Sequence, residues 1–345
     1  MITSLSDRSN YKTLNDYTYL NQASLGLVSE TAVEAMHCFL DNVARHGNAL
    51  MSDQEELDFL EPLRNNGGKL FNANPENICI CSSASEMLSQ VPFIFHFSKK
   101  NKVILVSTDF PSLTRPWLAF KNTNNNFITK FVDDTNDTNL TENIINEIDP
   151  ETAMVCVSYV QFSTGTKVDI ERLRQATLEA GALLVLDVTQ AAGAIPIDVV
   201  DIRPDILVCS GYKWLGGHGG IALGYFADTL LEQQPHATGW MSTQNPFETN
   251  ATELDFPKTA KKYTQSTMSY LTVKGLELSS SELINLNPST IERHALNLSS
   301  YLLEALEGSK WAIFRGKNSC ERSSNILSIR NQEIDNKKLS QRLKD

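Results

Sequence analysis

The feature that most restricts the fold is a rhythm that begins near residue 76, in which short apolar runs are separated by segments of helix length. NICICS, KVILVS, AMVCVSYV, ALLVLDV, DILVCS and GIALGYF are apolar at almost every position, so strands made from them need cover on both faces. Between them, SEMLSQVPFIFHF reads as a helix despite its proline, PSLTRPWLAFK as a helical or irregular connection, and DIERLRQATLEA as a helix closed by Gly181. NFITKFV and LTENIINEI keep the same rhythm. The pattern predicts an α/β fold with a mainly parallel sheet sandwiched by helices, in which ligands bind beyond the carboxyl ends of the strands.

Residues 233–262 read as a long loop, and connections of that length are usually functional or mobile. Helical periodicity returns in YLTVKGLELSSSELI and STIERHALNLSSYLLEALEG, and NILSIRNQEIDNKKLSQRL reads as a strand leading into a helix. The sequence stops at Asp345, directly after that helix, where a further strand is normally due.

Several function classes are disfavoured. A formal charge of -11 opposes a phosphate backbone, so no nucleic-acid partner is expected. The polar first residues lack the apolar core of a signal peptide, and no run approaches the ~20 apolar residues of a membrane helix. A cytoplasmic protein without membrane contact is the expectation. Six cysteines spread over 345 residues do not make a disulfide framework. Cys156 and Cys209 sit in apolar runs, and the Cys79-x-Cys81 pair has no second pair at zinc spacing, so no metal is expected.

Asp187 and Lys213 each fall at the carboxyl end of an expected strand, in ALLVLD and DILVCSGYK, where a parallel sheet brings side chains into one crevice. A desolvated lysine there can form a Schiff base with an aldehyde cofactor. A carboxylate against a pyridine nitrogen makes such a ring an electron sink. The same two residues also read as a strand-end turn and a loop lysine. CSSASEML places serines between a strand and a helix, which suits a phosphate at a helix N-terminus and equally suits a capping box from Ser83 and Glu86.

Taken in order, YLNQASLGLVS, SSASE, STDFPS, VSYVQFSTGTKVD, LLVLDVTQAAGAIPIDV and SGYKWLGGHGGIALGYF resemble the motifs of class V aminotransferase-like enzymes from about residue 17 onward. This is a pyridoxal 5'-phosphate family that includes cysteine desulfurases, isopenicillin N epimerase-like proteins and kynureninases. The resemblance implies a fold-type I pyridoxal-phosphate enzyme with a seven-stranded sheet in a large domain, residues 31–285. A smaller, incomplete α/β domain would combine residues 1–30 and 286–345.

Carried over by position, the resemblance implies that Lys213 forms the Schiff base and moves the α-proton. Asp187 would pair with the pyridinium nitrogen and Gln190 with the phenolic oxygen. Ala84, Ser85 and Ser210 would hold the phosphate, and Phe110 would stack where many relatives place a histidine. Tyr212 likewise stands where a histidine is common. Thr267 matches a threonine given to the neighbouring subunit's phosphate, which implies a homodimer with shared sites. Asn21, Ala23, Gln161 and Ser163 fall in segments that face substrate in relatives.

Relatives carry further strands and a carboxylate-binding arginine beyond the position of Asp345, and their desulfurase loop cysteine is not matched by Cys320. The implied reaction acts on a small-molecule substrate, an amino acid or related amine, and is of C–S lyase, epimerase or aminotransferase type. The alternative is a shortened, catalytically weak relative that serves as a binding or interaction subunit.

Overall fold

The six apolar runs and NFITKFV pair into one seven-stranded sheet in the computed structural model, which describes residues 3–97, 99–135, 138–316 and 318–343; Asp345 lies outside them. The strands are β1 (Ile78–Cys81), β2 (Lys102–Val106), β3 (Ile128–Val132), β4 (Thr152–Ser158), β5 (Leu183–Asp187), β6 (Ile206–Ser210) and β7 (Ala222–Phe226). Their order is β1-β7-β6-β5-β4-β2-β3. The block from β6 to β3 is parallel, and β7 runs antiparallel to both β1 and β6.

Alternation along these strands divides the interior into two cores. Ile78, Ile80, Ile104, Val155, Leu184, Leu186 and Leu207 enter one, whereas Cys79, Cys81, Val103, Leu105, Met154, Cys156, Val185 and Ile206 enter the other. Successive side chains in a strand point to opposite faces, so a strand buried on both sides reads as continuously apolar even though each face has its own packing. β3 is the exception, half exposed at the edge with Lys130 in it, and a charge there discourages pairing with another chain.

Helices cover both faces. α1 (Glu30–His46) and α2 (Glu61–Phe71) precede the sheet. They fall before the rhythm of apolar runs begins, and α1 fully buries only Ala32 while Leu40 and Val43 stay exposed. α2 lies close on β1 because Gly67 has no side chain; a Cβ there would come within 2.9 Å of Ile78 Cγ2. α3 (Ala84–Ile94), α4 (Pro111–Thr123), α5 (Leu140–Asn146) and α6 (Ile170–Ala180) are the connections between strands. The segment with an ambiguous sequence pattern is therefore a helix, with Pro116 inside it.

α7 (Tyr270–Leu286) and α8 (Pro288–Leu306) follow the sheet. A two-stranded antiparallel sheet, β8 (Trp311–Ile313) with β9 (Ile329–Asn331), precedes α9 (Asn336–Arg342). No helix among the described residues is long and apolar enough to cross a membrane.

The connection at 233–262 is built from short 3-10 turns and held by its own bonds. Gln244 N donates to Asp255 O at 2.7 Å, and Met241 N donates to Gln265 O at 3.2 Å.

The segment around β8 is fastened to the sheet by a buried ion network. The Arg315 guanidinium reaches Asp134 at 2.8 Å and Glu321 at 3.2 Å, with all three side chains almost wholly out of water. The Glu321 carboxylate also accepts from the first N–H groups of α5, Leu140 at 2.9 Å and Thr141 at 2.8 Å. Those donors have no partner inside the helix. Removing one member of a buried, hydrogen-bonded ion pair typically costs about 3–5 kcal/mol, because its partner stays behind uncompensated. Glu321→Ala is expected to lose stability in that range, read as a lower urea midpoint, and an unchanged midpoint would contradict the network's role.

Candidate active site

Three adjacent parallel strands end side by side. Ser158 is in register with Asp187, and Asp187 neighbours Val208 near the end of β6. Ser158, Asp187 and Ser210 share the parity of Met154, Val185 and Val208, so all three side chains leave on the same face of the sheet. They line one cavity with Lys213, which follows β6 by three residues. The spacing that suggested convergence in the sequence produces it in the fold.

Asp187 is 5 % exposed and Lys213 8 %. They form no direct ion pair, and each is pulled toward its neutral form by loss of water. Burial pushes the Asp187 carboxyl up to about 6; the Thr189 hydrogen bonds and the charge of Lys213 oppose this, while Asp109 adds to it. The Thr189 N–H donates to Asp187 Oδ1 at 2.8 Å. Burial lowers the Lys213 pKa, against the charge of Asp187, which raises it. Burial of this kind favours the free amine that covalent chemistry requires.

The lysine loop is held by its backbone. The Gly26 N–H donates to Tyr212 O at 2.9 Å, and the Gly216 N–H to Lys213 O at 3.1 Å. Only glycine fits at position 26, because a Cβ there would lie 1.9 Å from Lys213 O. The amine projects between aromatic rings, 5.5 Å from the Phe110 centroid and 5.9 Å from that of Tyr212. Phe110 meets Phe162 edge-on at 5.3 Å, an arrangement that fixes the ring's plane.

At another wall of the cavity, Ser83, Ala84 and Ser85 open α3. Ser83 Oγ caps the helix by accepting from Glu86 N at 3.0 Å, but Glu86 turns its carboxylate to the Ser82 N–H at 2.9 Å rather than closing a box on Ser83. Ala84 and Ser85 thus supply first-turn N–H groups without helical partners, the arrangement that attracts phosphate. Ser85 Oγ lies 2.7 Å from Ser112 Oγ of α4, so hydroxyls from two helices meet there.

Of the residues expected from the sequence, Ala84, Ser85, Phe110, Asp187, Gln190, Ser210, Tyr212 and Lys213 line this cavity. The others stand apart from it. Gln161 is buried and bonds Asp109 at 3.1 Å, so Phe162, and not Gln161 or Ser163, is what that segment contributes. Asn21 and Ser163 are exposed, as is Thr267. Ala23 contributes only its carbonyl, which accepts from Gln190 Nε2 at 3.0 Å.

Ser112, Ser158, Phe162 and Thr189 were not assigned from the sequence although each lies in or beside a recognised motif. Asp109, inside STDFPS, was passed over too: its carboxylate accepts from the N–H groups of Phe110 and Ser158, both at 2.8 Å, and so ties two strand ends together.

An open α/β sheet with a desolvated lysine and carboxylate at its strand ends, facing the first turn of a helix, defines the fold-type I class of enzymes. The class-V aminotransferase model matches residues 18–345. The chain therefore belongs to the class-V aminotransferase family, whose cofactor is pyridoxal 5'-phosphate.

It is similar to an uncharacterized aminotransferase, YcbU, of Bacillus subtilis (strain 168), with 26% identity over 83% of this chain and 75% of that protein. A kynureninase of Yarrowia lipolytica is 28% identical over 64% of this chain, which spans 53% of the kynureninase's length. Among solved structures, a C-DES variant with glycine covalently linked to its pyridoxal-phosphate cofactor superposes with a TM-score of 0.86 at 17% identity, covering 98% of this chain and 90% of that one. A second C-DES structure, of the cystine C–S lyase in complex with its reaction product cysteine persulfide, gives 0.83 at the same identity, covering 97% of this chain and 89% of that one. At such identity the likeness is one of fold.

The cavity's chemistry fits that cofactor, with an amine for an aldehyde, a carboxylate for a ring nitrogen and helix N–H groups for a phosphate. A stability consequence follows when the cofactor is absent. The folded protein holds the Asp187 proton more tightly than an ordinary carboxyl of 3.8 does, so native stability falls as pH rises from about 4 through about 6. Asp187→Asn is expected to stabilise the cofactor-free protein above that window by on the order of 1–3 kcal/mol, and to gain nothing below it. Urea titrations of both proteins at the two pH values check this; the same difference at each would contradict it.

Proposed function

We propose that the chain is a pyridoxal-phosphate-dependent enzyme acting on an α-amino acid through Lys213. The observation that carries the reading is the single cavity in which the Lys213 amine, the Asp187 carboxylate and the opening turn of α3 meet. Lys213 would hold the cofactor's aldehyde carbon covalently, Asp187 its ring nitrogen and Gln190 its phenolic oxygen, with Ala84, Ser85 and Ser210 around the phosphate and Phe110 against the ring. When bound, the cofactor supplies an electron sink conjugated to the substrate's α-carbon.

The residues then divide the remaining work. With its amine free, Lys213 would be the base for the α-proton, since burial lowers its pKa and so favours the neutral form. Asp187 would stabilise positive charge at a ring nitrogen. Phe110 and Phe162 keep water from that wall and carry no titratable proton. Among the described residues no histidine or cysteine lines the cavity. The site suits reactions that need one base, namely elimination of a β-substituent as in a C–S lyase, or transamination. Epimerisation requires a second proton donor, for which the Tyr212 hydroxyl is the available group.

We further propose the division into a domain of residues 31–285 and one of 1–30 with 286–345, and a homodimer in which Thr267, exposed in the single chain, completes the partner's phosphate site.

Purified protein supplied with pyridoxal 5'-phosphate is expected to show a visible absorption band that borohydride bleaches, and Lys213→Ala to show none. A panel of amino acids should change that band and release product from at least one. A band in Lys213→Ala that borohydride treats identically would overturn the role of the lysine; a band that no amino acid perturbs would leave a cofactor-binding protein without this activity.

A further inference from the structure

Gln190 lines the cavity, yet its carboxamide is not free to choose what it shows there. The Trp214 indole Nε1 lies 2.7 Å from Gln190 Oε1, and Gln190 Nε2 lies 3.0 Å from Ala23 O. An indole N–H only donates and a backbone carbonyl only accepts, so the two contacts agree on a single orientation of the amide. One N–H is given to Ala23, and the second is left for the cavity. The reversed amide would set N–H against N–H and oxygen against oxygen, losing both bonds in a half-buried place where neither group has a ready substitute.

The frame around this amide is stiff. Asn325 Nδ2 donates to Gln190 O at 2.8 Å, which pins the backbone. Gly193, at φ +90, lets the loop after β5 close upon the lysine loop; a Cβ there would lie 2.6 Å from Trp214 O. The indole is attached to the residue directly after Lys213, whose own carbonyl is met by Gln22 Nε2 at 3.4 Å. The N-terminal segment, the lysine loop and the segment at Asn325 all converge on one side chain.

We propose that Trp214 is a positioning residue that locks the Gln190 carboxamide with its N–H edge toward the cavity, so that this wall recognises a hydrogen-bond acceptor such as an anionic oxygen and rejects a donor. The acceptor's identity as the phenolic oxygen of pyridoxal phosphate rests on the function proposed above, whereas the orientation of the amide does not.

Trp214→Phe keeps the aromatic bulk and removes the N–H. With pyridoxal 5'-phosphate bound, an N–H donated to the phenolic oxygen stabilises its anion and lowers the pH at which the visible band titrates. Freeing the amide is expected to raise that midpoint by about half to one pH unit. Asp187, Lys213 and Tyr212 face the same cavity and are unaltered in the variant, so a shift belongs to the amide. Trp214→His, which restores a ring N–H, is expected to recover part of it.

An unchanged midpoint in Trp214→Phe overturns the lock. Should that variant not fold, or the wild type show no visible band, the cofactor-free wild type still decides. Its Trp214 indole proton is expected to be protected from hydrogen exchange and to become labile in Gln190→Leu. A labile indole proton in the wild type overturns the lock without bearing on the cofactor.

Discussion

Two opposite charges kept out of water at one end of a sheet, close enough to influence each other and not paired, are the constraint that shapes this molecule. A direct ion pair would have set the attraction of the two charges against their desolvation and favoured the charged form of both groups. The structure holds them apart instead. Asp187 closes a strand buried at all but its first residue and takes its hydrogen bond from Thr189, while Lys213 is placed by a loop whose carbonyls are bonded from Gly26 and Gly216. Strain of this sort is ordinarily kept at functional sites and offset elsewhere.

What offsets it is ordinary packing. The division of the strands into two alternating cores supplies a rigid platform, so that Ser158, Asp187 and Ser210 leave on one face without local adjustment. The buried Asp109 carboxylate then joins the ends of β2 and β4 beneath the aromatic wall. The ion network of Arg315, Asp134 and Glu321 serves the same end at longer range, fixing the segment that delivers Asn325 to the loop after β5.

The sheet and the key pair were legible in the sequence because both depend on short-range pattern. Continuous apolar runs signal strands buried on both faces, and residues at their carboxyl ends signal a crevice. Phe110 was expected at the site from its motif alone, and it lines the cavity. Less legible were features set by contacts between distant segments. Nothing local distinguishes β7 as antiparallel, or tells that Gln161 turns down to Asp109 while Phe162 faces the cavity. Trp214 reads as an apolar residue beside the lysine until Gln190, 24 positions earlier, is seen to meet its indole nitrogen. α1 and α2 precede the rhythm of apolar runs and are placed by distant segments, since Phe39 of α1 meets Phe59 and Tyr270 and α2 packs on β1 through Gly67.

Among the described residues, the cavity brings one amine, one carboxylate, an amide and several hydroxyls together beside aromatic rings. All of it rests on a single ring being held between Lys213 and Asp187. A crystal structure of the protein grown with pyridoxal 5'-phosphate tests this most directly. The account predicts continuous density from Lys213 Nζ to the cofactor, with the ring nitrogen at Asp187 and the phosphate at the first turn of α3. A cofactor lodged elsewhere, or turned so that its phosphate lies at Asp187, would contradict it.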